Sequence, residues 1–344
     1  MYPAVKGSEA VVSNGESAVS FINTNNFSLT NCKLETTNSI PLLIKNSKDG
    51  QITGNTIGKF YVSVYKSSNL RFKKNILGAF YQQEYSTDNV LQNNTLSVTL
   101  DPTGSFGTVG AVVVSTRGAR NQIVNNLIDG KAEGVFDNKN AADDGIVIDQ
   151  ETADVVEGNT IANNWDCGIE TFGHISKSRI ARNYIKNSGV CGIGGWYYNS
   201  WKGNEVSENT IDDAPTMFLF ARMHGLRPAG WDVNDPSSVA DEYVYFADNR
   251  FVKNKFINAK LQKGSVSQLG SSVIFMTPSG DLGNILGERV ATKKDFILGN
   301  NLFQENDFGT ALNAPHFDPM NMIVDGGGNI CGKATDNYPL KCGQ

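Results

Sequence analysis

Polar and apolar positions in this chain fall into short units that recur. LRFKKN, QIVNN, DVVEGN, SRIARN and NEVSEN each end in Asn, and apolar side chains alternate with polar ones along them. Alternation of period two predicts half-buried strands. Two residues beyond each Asn stands another apolar side chain: GNTI at Asn55, KNIL at Asn75, NNTL at Asn94, NNLI at Asn126, GNTI at Asn159, RNYI at Asn183, ENTI at Asn209, KNKF at Asn254 and NNLF at Asn301. The shortest interval is 19 residues, from Asn75 to Asn94, and the longer ones read as the same unit carrying insertions. No convincing amphipathic helix interrupts them. Short strands, a short period and a recurrent turn Asn predict a solenoid. Asn tolerates the left-handed backbone of a sharp corner, and stacked Asn side chains can hydrogen-bond from coil to coil.

This ladder resembles the right-handed parallel β-helix of the pectate-lyase-like superfamily, over roughly residues 17 to 330. The resemblance implies an all-β chain, a right-handed parallel β-helix solenoid of about ten or more coils with loop insertions. It implies a single domain over 1–344, with 1–16 as N-terminal cap, 17–330 as coils and 331–344 as a tail. The superfold hosts lyases, hydrolases, epimerases, transferases and phage tailspikes, so function has to be read from what the coils display.

Three stretches share a Gly-Ile frame: DDGIVIDQE from Asp143, DCGIETFGH from Asp166 and VCGIGGWYY from Val190. Their alignment predicts Ile146, Ile169 and Ile193 at one inward position, with Met217 continuing it on the next coil and Val112 on the preceding one. The outward rungs then stack Val147, Glu170, Gly194 and Phe218; next Asp149, Phe172, Trp196 and Phe220; and last Glu151, His174, Tyr198 and Arg222. Neighbouring coils lie ~4.8 Å apart, so Asp149, Glu151, Glu170, His174, Trp196, Tyr198 and Arg222 are expected in one patch.

That patch combines carboxylates, an imidazole, a phenol, a guanidinium and an indole, where a plain structural ladder would show Asn, Thr, Ser or Val. Asp149, Glu151, Glu170, His174 and Arg222 are the expected catalytic groups. Trp196, Tyr197, Tyr198, Asp144, His224, Arg227 and Trp231 are expected to hold substrate, because an aromatic face beside carboxylates suits the apolar CH face of a sugar. RMHGLRPAGWD (Arg222 to Asp232) is read as cleft wall. Insertions after Asn94, Asn126, Asn209 and Asn254 flank the region, as loops walling a cleft would.

Paired carboxylates and a sugar platform point to glycosidic-bond cleavage, with one group as protonated acid and the other as nucleophile or base. DDGIVI and FGHI resemble the Asp-Asp and Gly-His-Gly motifs of the polygalacturonase-like glycoside hydrolases. No Asn-Thr-Asp precedes them, Ile175 replaces the second Gly, and no Arg-Ile-Lys follows, so that family is not assigned. The competing chemistry is β-elimination or epimerisation on a uronate polymer, with Arg222, His174 and Tyr198 as acid or base and Ca²⁺ on Asp143, Asp144 and Asp149. The hydrolase reading requires no cofactor. A glycan-binding module of the tailspike kind is the non-enzyme alternative.

Composition narrows this further. Hydrophobic residues make up 40% of the 344 and charged residues 19%, as in a globular chain. A net charge of −5 argues against a nucleic-acid partner. No apolar run reaches the ~18 residues of a membrane span. The opening MYPAVKGSEA lacks the pattern of a signal peptide. Of the five Cys, Cys167 and Cys191 occupy equivalent frame positions, Cys331 and Cys342 bracket a short loop, and Cys32 reads as core. Disulfides of this kind favour a secreted or periplasmic setting. The expected partner is a poly- or oligosaccharide, the expected state a monomer or homotrimer.

Overall fold

The computed structural model describes residues 4–6, 9–12, 17–36, 40–98, 110–131, 141–195, 200–220, 244–260, 273–275, 296–309, 316–317 and 322–331. All regular structure in them is β, and every strand pairing is parallel. Three-residue strands such as Gln51–Thr53, Arg71–Lys73, Val90–Gln92, Gln122–Val124, Val155–Glu157 and Arg179–Ala181 stack into one 12-stranded sheet. The remaining strands stack on further faces of the same coil. Each coil thus winds once around a shared interior, and the chain is a parallel β-helix. Pairing already includes Ala4–Lys6 with Ser28–Thr30 and Glu9–Val12 with Lys33–Thr36, within the stretch expected as a cap.

Two Asn-based ladders hold the corners. In the first, each Asn side-chain oxygen accepts the backbone N–H of the equivalent Asn one coil back: Asn75 from Asn55, Asn94 from Asn75, Asn126 from Asn94, Asn159 from Asn126, all 2.9 Å. The side-chain NH₂ donates to a carbonyl of the coil before, as Asn159 does to Ile123 at 2.8 Å. This ladder continues through Asn183, Asn209, Asn254, Asn306 and Asn329. Asn301 belongs to the second ladder, with Asn89, Asn121, Asp154, Ser178, Asn204 and Asn249.

The ladder Asn is not itself left-handed. The residue before it is: Lys74, Asn93, Asn125, Arg182, Glu208, Lys253 and Glu305 all have φ of 53–57°. The corner strain is placed on a varied, solvent-facing position, and the buried Asn is left to satisfy backbone groups that no water can reach.

Apolar side chains fill the interior. Ile123, Ile128, Ile146, Ile148, Ile161, Ile169, Ile180, Ile185 and Ile193 are buried in one cluster. Toward the C-terminal coils aromatics take over: Phe251 stacks on Phe303 with ring centroids 4.4 Å apart, and on the far side lies parallel to Trp201 at 6.2 Å. Cys32 is a buried free thiol, as expected. Cys331 is disulfide-bonded, and Cys342 lies outside the described residues.

Candidate functional site

The Gly-Ile frame sets the register of the central coils. Ile146 pairs with Ile169 and Ile169 with Ile193, so Val147 faces Glu170 and Asp149 faces Phe172 across adjacent strands. On the flanking coils the alignment slips by one. Val113, not Val112, pairs with Ile146, and Phe218, not Met217, pairs with Ile193. Leu219 therefore stands beside Gly194 on the outward rung, and Phe218 and Phe220 are buried in the interior cluster.

Asp149 and Glu170 project from the same outer face of this sheet, on adjacent strands and two positions apart. Strand spacing and rise put their Cα atoms ~8 Å apart. Both are buried, at 7% and 4% exposure.

The strongest polar feature of this face lies at the N-terminal ends of the same strands. Asp144, 2% exposed, accepts the Cys167 N–H at 3.0 Å and shares a carboxyl–carboxylate hydrogen bond with Glu170. Asp166 and Asp143 add their charges. Burial, then the charges of Glu170, Asp166 and Asp143, raise the Asp144 carboxyl well above the usual range. Burial also raises Asp143, whose buried Oδ1 has no hydrogen-bond partner. The Cys167–Cys191 disulfide, with the two Cα atoms 4.5 Å apart, packs with Val190 and Leu219 beside this acid cluster. It joins the equivalent frame positions that the alignment sets side by side, 24 residues apart.

Two expected members do not join the patch. Glu151 points into the coil: it is 1% exposed, accepts Ser115 Oγ at 2.7 Å and Asn121 Nδ2 at 3.3 Å, and hydrogen-bonds to Asp154. The cause is Gln150, whose φ of 54° turns the chain and resets the in–out alternation. His174 starts a separate four-stranded sheet after Gly173 (φ 63°), pairs with Ser200 and meets Ser200 Oγ through Nδ1 at 3.1 Å. Burial, then Lys202, lowers its pKa, so the imidazole is neutral at pH 7. Glu151 and His174 therefore share no outward rung; Ser176 of the His174 strand bridges Thr152.

Trp196, Tyr197, Tyr198, Arg222, His224, Arg227 and Trp231 lie outside the described residues. Asp166, absent from the expected set, opens the second copy of the frame at the position Asp143 holds in the first. Among the described residues, the ligand atoms of Asp144, Asp166 and Cys167 lie within 4.8 Å of one another. The Ca²⁺ set expected from Asp143, Asp144 and Asp149 is not this group.

Comparison with known proteins fits the architecture. A family model described as periplasmic copper-binding protein (NosD) matches residues 3–218. The Dettilon tailspike protein (gp208) superposes with a TM-score of 0.57 at 10% identity, over 93% of this chain and 59% of that one. The A-module of mannuronan C-5 epimerase AlgE6 of Azotobacter vinelandii superposes with a TM-score of 0.50 at 10% identity, over 96% and 81% of the two chains. This chain thus spans less than two thirds of the tailspike, and at such identity the likeness is one of fold. No curated protein matches by sequence.

Proposed function

The chain belongs to the NosD family of β-helix proteins, and from that premise we propose that it is a carbohydrate-active enzyme of the periplasm or cell exterior that hydrolyses a glycosidic bond on the face carrying Asp149 and Glu170. The observation that carries this reading is the Asp144–Glu170 pair. Two carboxyls that share a hydrogen bond in a buried cluster retain one proton at neutral pH, because both cannot ionise side by side. Asp144 is the member whose carboxyl is raised; Glu170, hydrogen-bonded to it on the outer face, draws on that proton to serve as general acid to the glycosidic oxygen. Asp149, ~8 Å away by Cα spacing, is the base for a water. A carboxyl separation of ~6.5–9.5 Å goes with inversion at the anomeric carbon, and ~5–5.5 Å with retention.

The description of the family names copper. Copper is held by thiolate, thioether and imidazole groups. In the one described ligand group, Asp144 and Asp166 supply hard oxygens, and the Cys167 sulfur is already bonded to Cys191. That group does not fit copper. β-Elimination finds less support among them than hydrolysis: His174 sits around a corner from Glu170, in another sheet.

The test is a polysaccharide panel read for reducing ends and for absorbance near 235 nm, the mark of an unsaturated elimination product, with and without EDTA. Reducing ends without that absorbance, unaffected by EDTA and lost in Glu170→Gln, support hydrolysis. Absorbance that EDTA removes means a Ca²⁺-dependent lyase and overturns the reading. Anomeric proton signals of the first product then tell inversion from retention.

A further inference from the structure

The outward rung of Glu170 can be followed coil by coil toward the N-terminus, through Val147 and Val114 to Tyr81, then Ser63 and Leu43. The rung of Asp149 runs in parallel through Thr116 and Gln83 to Tyr65 and Lys45. Three to four coils from Glu170, ~14–19 Å at the strand spacing, this face carries three tyrosines, Tyr81 on the nearer coil and Tyr61 and Tyr65 on the next. Tyr61 and Tyr81 stack on each other with ring centroids 4.5 Å apart and an interplanar angle of 17°. Tyr65 has two ammonium groups over its ring, Lys45 Nζ at 5.6 Å and Lys66 Nζ at 5.1 Å from the centroid.

The lysines are exposed, and among the described residues neither has a carboxylate partner. Some surface cations on this solenoid are met by acids, as Lys33 is by Glu35, Arg117 by Glu84, Arg120 by Asp88, Arg179 by Glu157 and Lys260 by Asp213; what sets Lys45 and Lys66 apart is that both stand over one aromatic ring. In a chain of net charge −5, two bare ammonium groups gathered on one aromatic ring make a local positive site. Tyrosine rings offer an apolar face to the CH side of a pyranose and an OH to its hydroxyls.

We infer that Tyr61, Tyr65, Tyr81, Lys45 and Lys66 form a distal binding platform for an acidic saccharide, whose uronate carboxylates pair with the two lysines while its rings lie along the tyrosines toward Asp149 and Glu170. The inference rests on the hydrolase reading for its direction along the face, and it names the substrate class: a uronic-acid-bearing chain long enough to span four to five coils. Neutral glycans would meet the tyrosines but leave the ammonium groups unanswered.

The experiment uses the full chain carrying Glu170→Gln, so that ligand is not turned over. Calorimetric titration compares a short oligouronate with a neutral glucan oligosaccharide of equal length, at about 10 mM and 150 mM ionic strength. The uronate is expected to bind at least tenfold more tightly, with an affinity that falls as salt rises. Lys45→Gln with Lys66→Gln is expected to weaken uronate binding about tenfold and leave neutral binding as it was. Both lysines are exposed, so the fold tolerates their loss; circular dichroism confirms it. Equal affinity for the two saccharides, or no loss in the double variant, overturns the platform. Product formation by the chain with native Glu170 is scored separately. Cleavage of the polymer with no dependence of KM on Lys45 and Lys66 leaves hydrolysis standing and removes the platform. Lysine-dependent binding without products keeps the platform and removes hydrolysis.

Discussion

Asp144 is the residue whose surroundings say most about chemistry, and its removal has a directional consequence. The Asp144 carboxyl, raised by burial and by the Glu170 charge, is the proton store that the proposed acid Glu170 draws on. In Asp144→Asn that proton is gone, and the alkaline limb of the pH–rate profile is expected to move to lower pH. Glu170→Gln and Asp149→Asn, which remove the proposed acid and base, are each expected to lower kcat by ~10²-fold or more with little change in KM. A different outcome belongs to the buried pair inside the coil. Burial raises Glu151 well above its usual range and Asp154 to about 6. Both titrate near 4 when unfolded, so between those values the native state binds the extra protons and stability declines as pH rises through the folded values. The melting temperature is therefore expected to fall between about pH 4 and pH 7, and Glu151→Gln to flatten that slope. A wild-type melting temperature that rises over this interval would refute the raised titration of Glu151 and Asp154.

Strands and corners explain why some of this was legible and some was not. Ile146, Ile169 and Ile193 were found because Gly-Ile repeats on three coils with nothing inserted between frame and strand. The Cys167–Cys191 bond followed from the same alignment. The flanking coils failed by one residue because their sequences lack the Gly-Ile mark, leaving Val112 and Met217 as reasonable as Val113 and Phe218. Glu151 and His174 failed for a different reason. A left-handed residue resets which side chain faces in, and Gln150 at φ 54° carries no signal that a sequence reader would trust. Tyr61 and Tyr81 escaped because the pairing of their strands shifts between Leu77 and Ala79, which puts Tyr61 beside Ala79 and displaces the two tyrosines from any simple alignment. The corners themselves make a testable claim. Asn159 accepts two bonds from Asn126 and donates to Ile123 and Asn183, all buried. Asn159→Leu orphans the Asn126 and Ile123 groups, each worth ~1–3 kcal/mol when left unpaired. Urea unfolding is expected to show at least ~2 kcal/mol of destabilisation, with the far-ultraviolet circular dichroism of the folded state unchanged.

A solenoid has no contacts between distant coils, so its stability is close to a sum of coil terms and nearest-neighbour terms. In this chain the interior changes character along the axis, from aliphatic stacks around Ile123 and Ile161 to aromatic stacks around Trp201, Phe246, Phe251 and Phe303. The central and the C-terminal coils are therefore held by different side chains and share few partners. Phe251 is the natural place to test this, since it stacks between Trp201 and Phe303 and meets Phe218 edge-on at 5.1 Å. Phe251→Ala removes a buried ring and leaves a cavity, at a cost of ~3–5 kcal/mol. In a two-state globule that loss would lower protection against hydrogen exchange everywhere by the same amount. Here it is expected to fall on coils that touch the ring, in Ser200–Lys202, Glu205–Ser207, Arg250–Val252 and Asn301–Gln304. Gln51–Thr53, Arg71–Lys73 and Val90–Gln92 are expected to keep the protection of the native protein. Uniform loss across both sets would show that the whole helix unfolds as one unit, with cooperativity longer than its contacts; loss confined to the first set would mean that the platform and the acid cluster, on the N-terminal and central coils, can stay folded while the aromatic end opens.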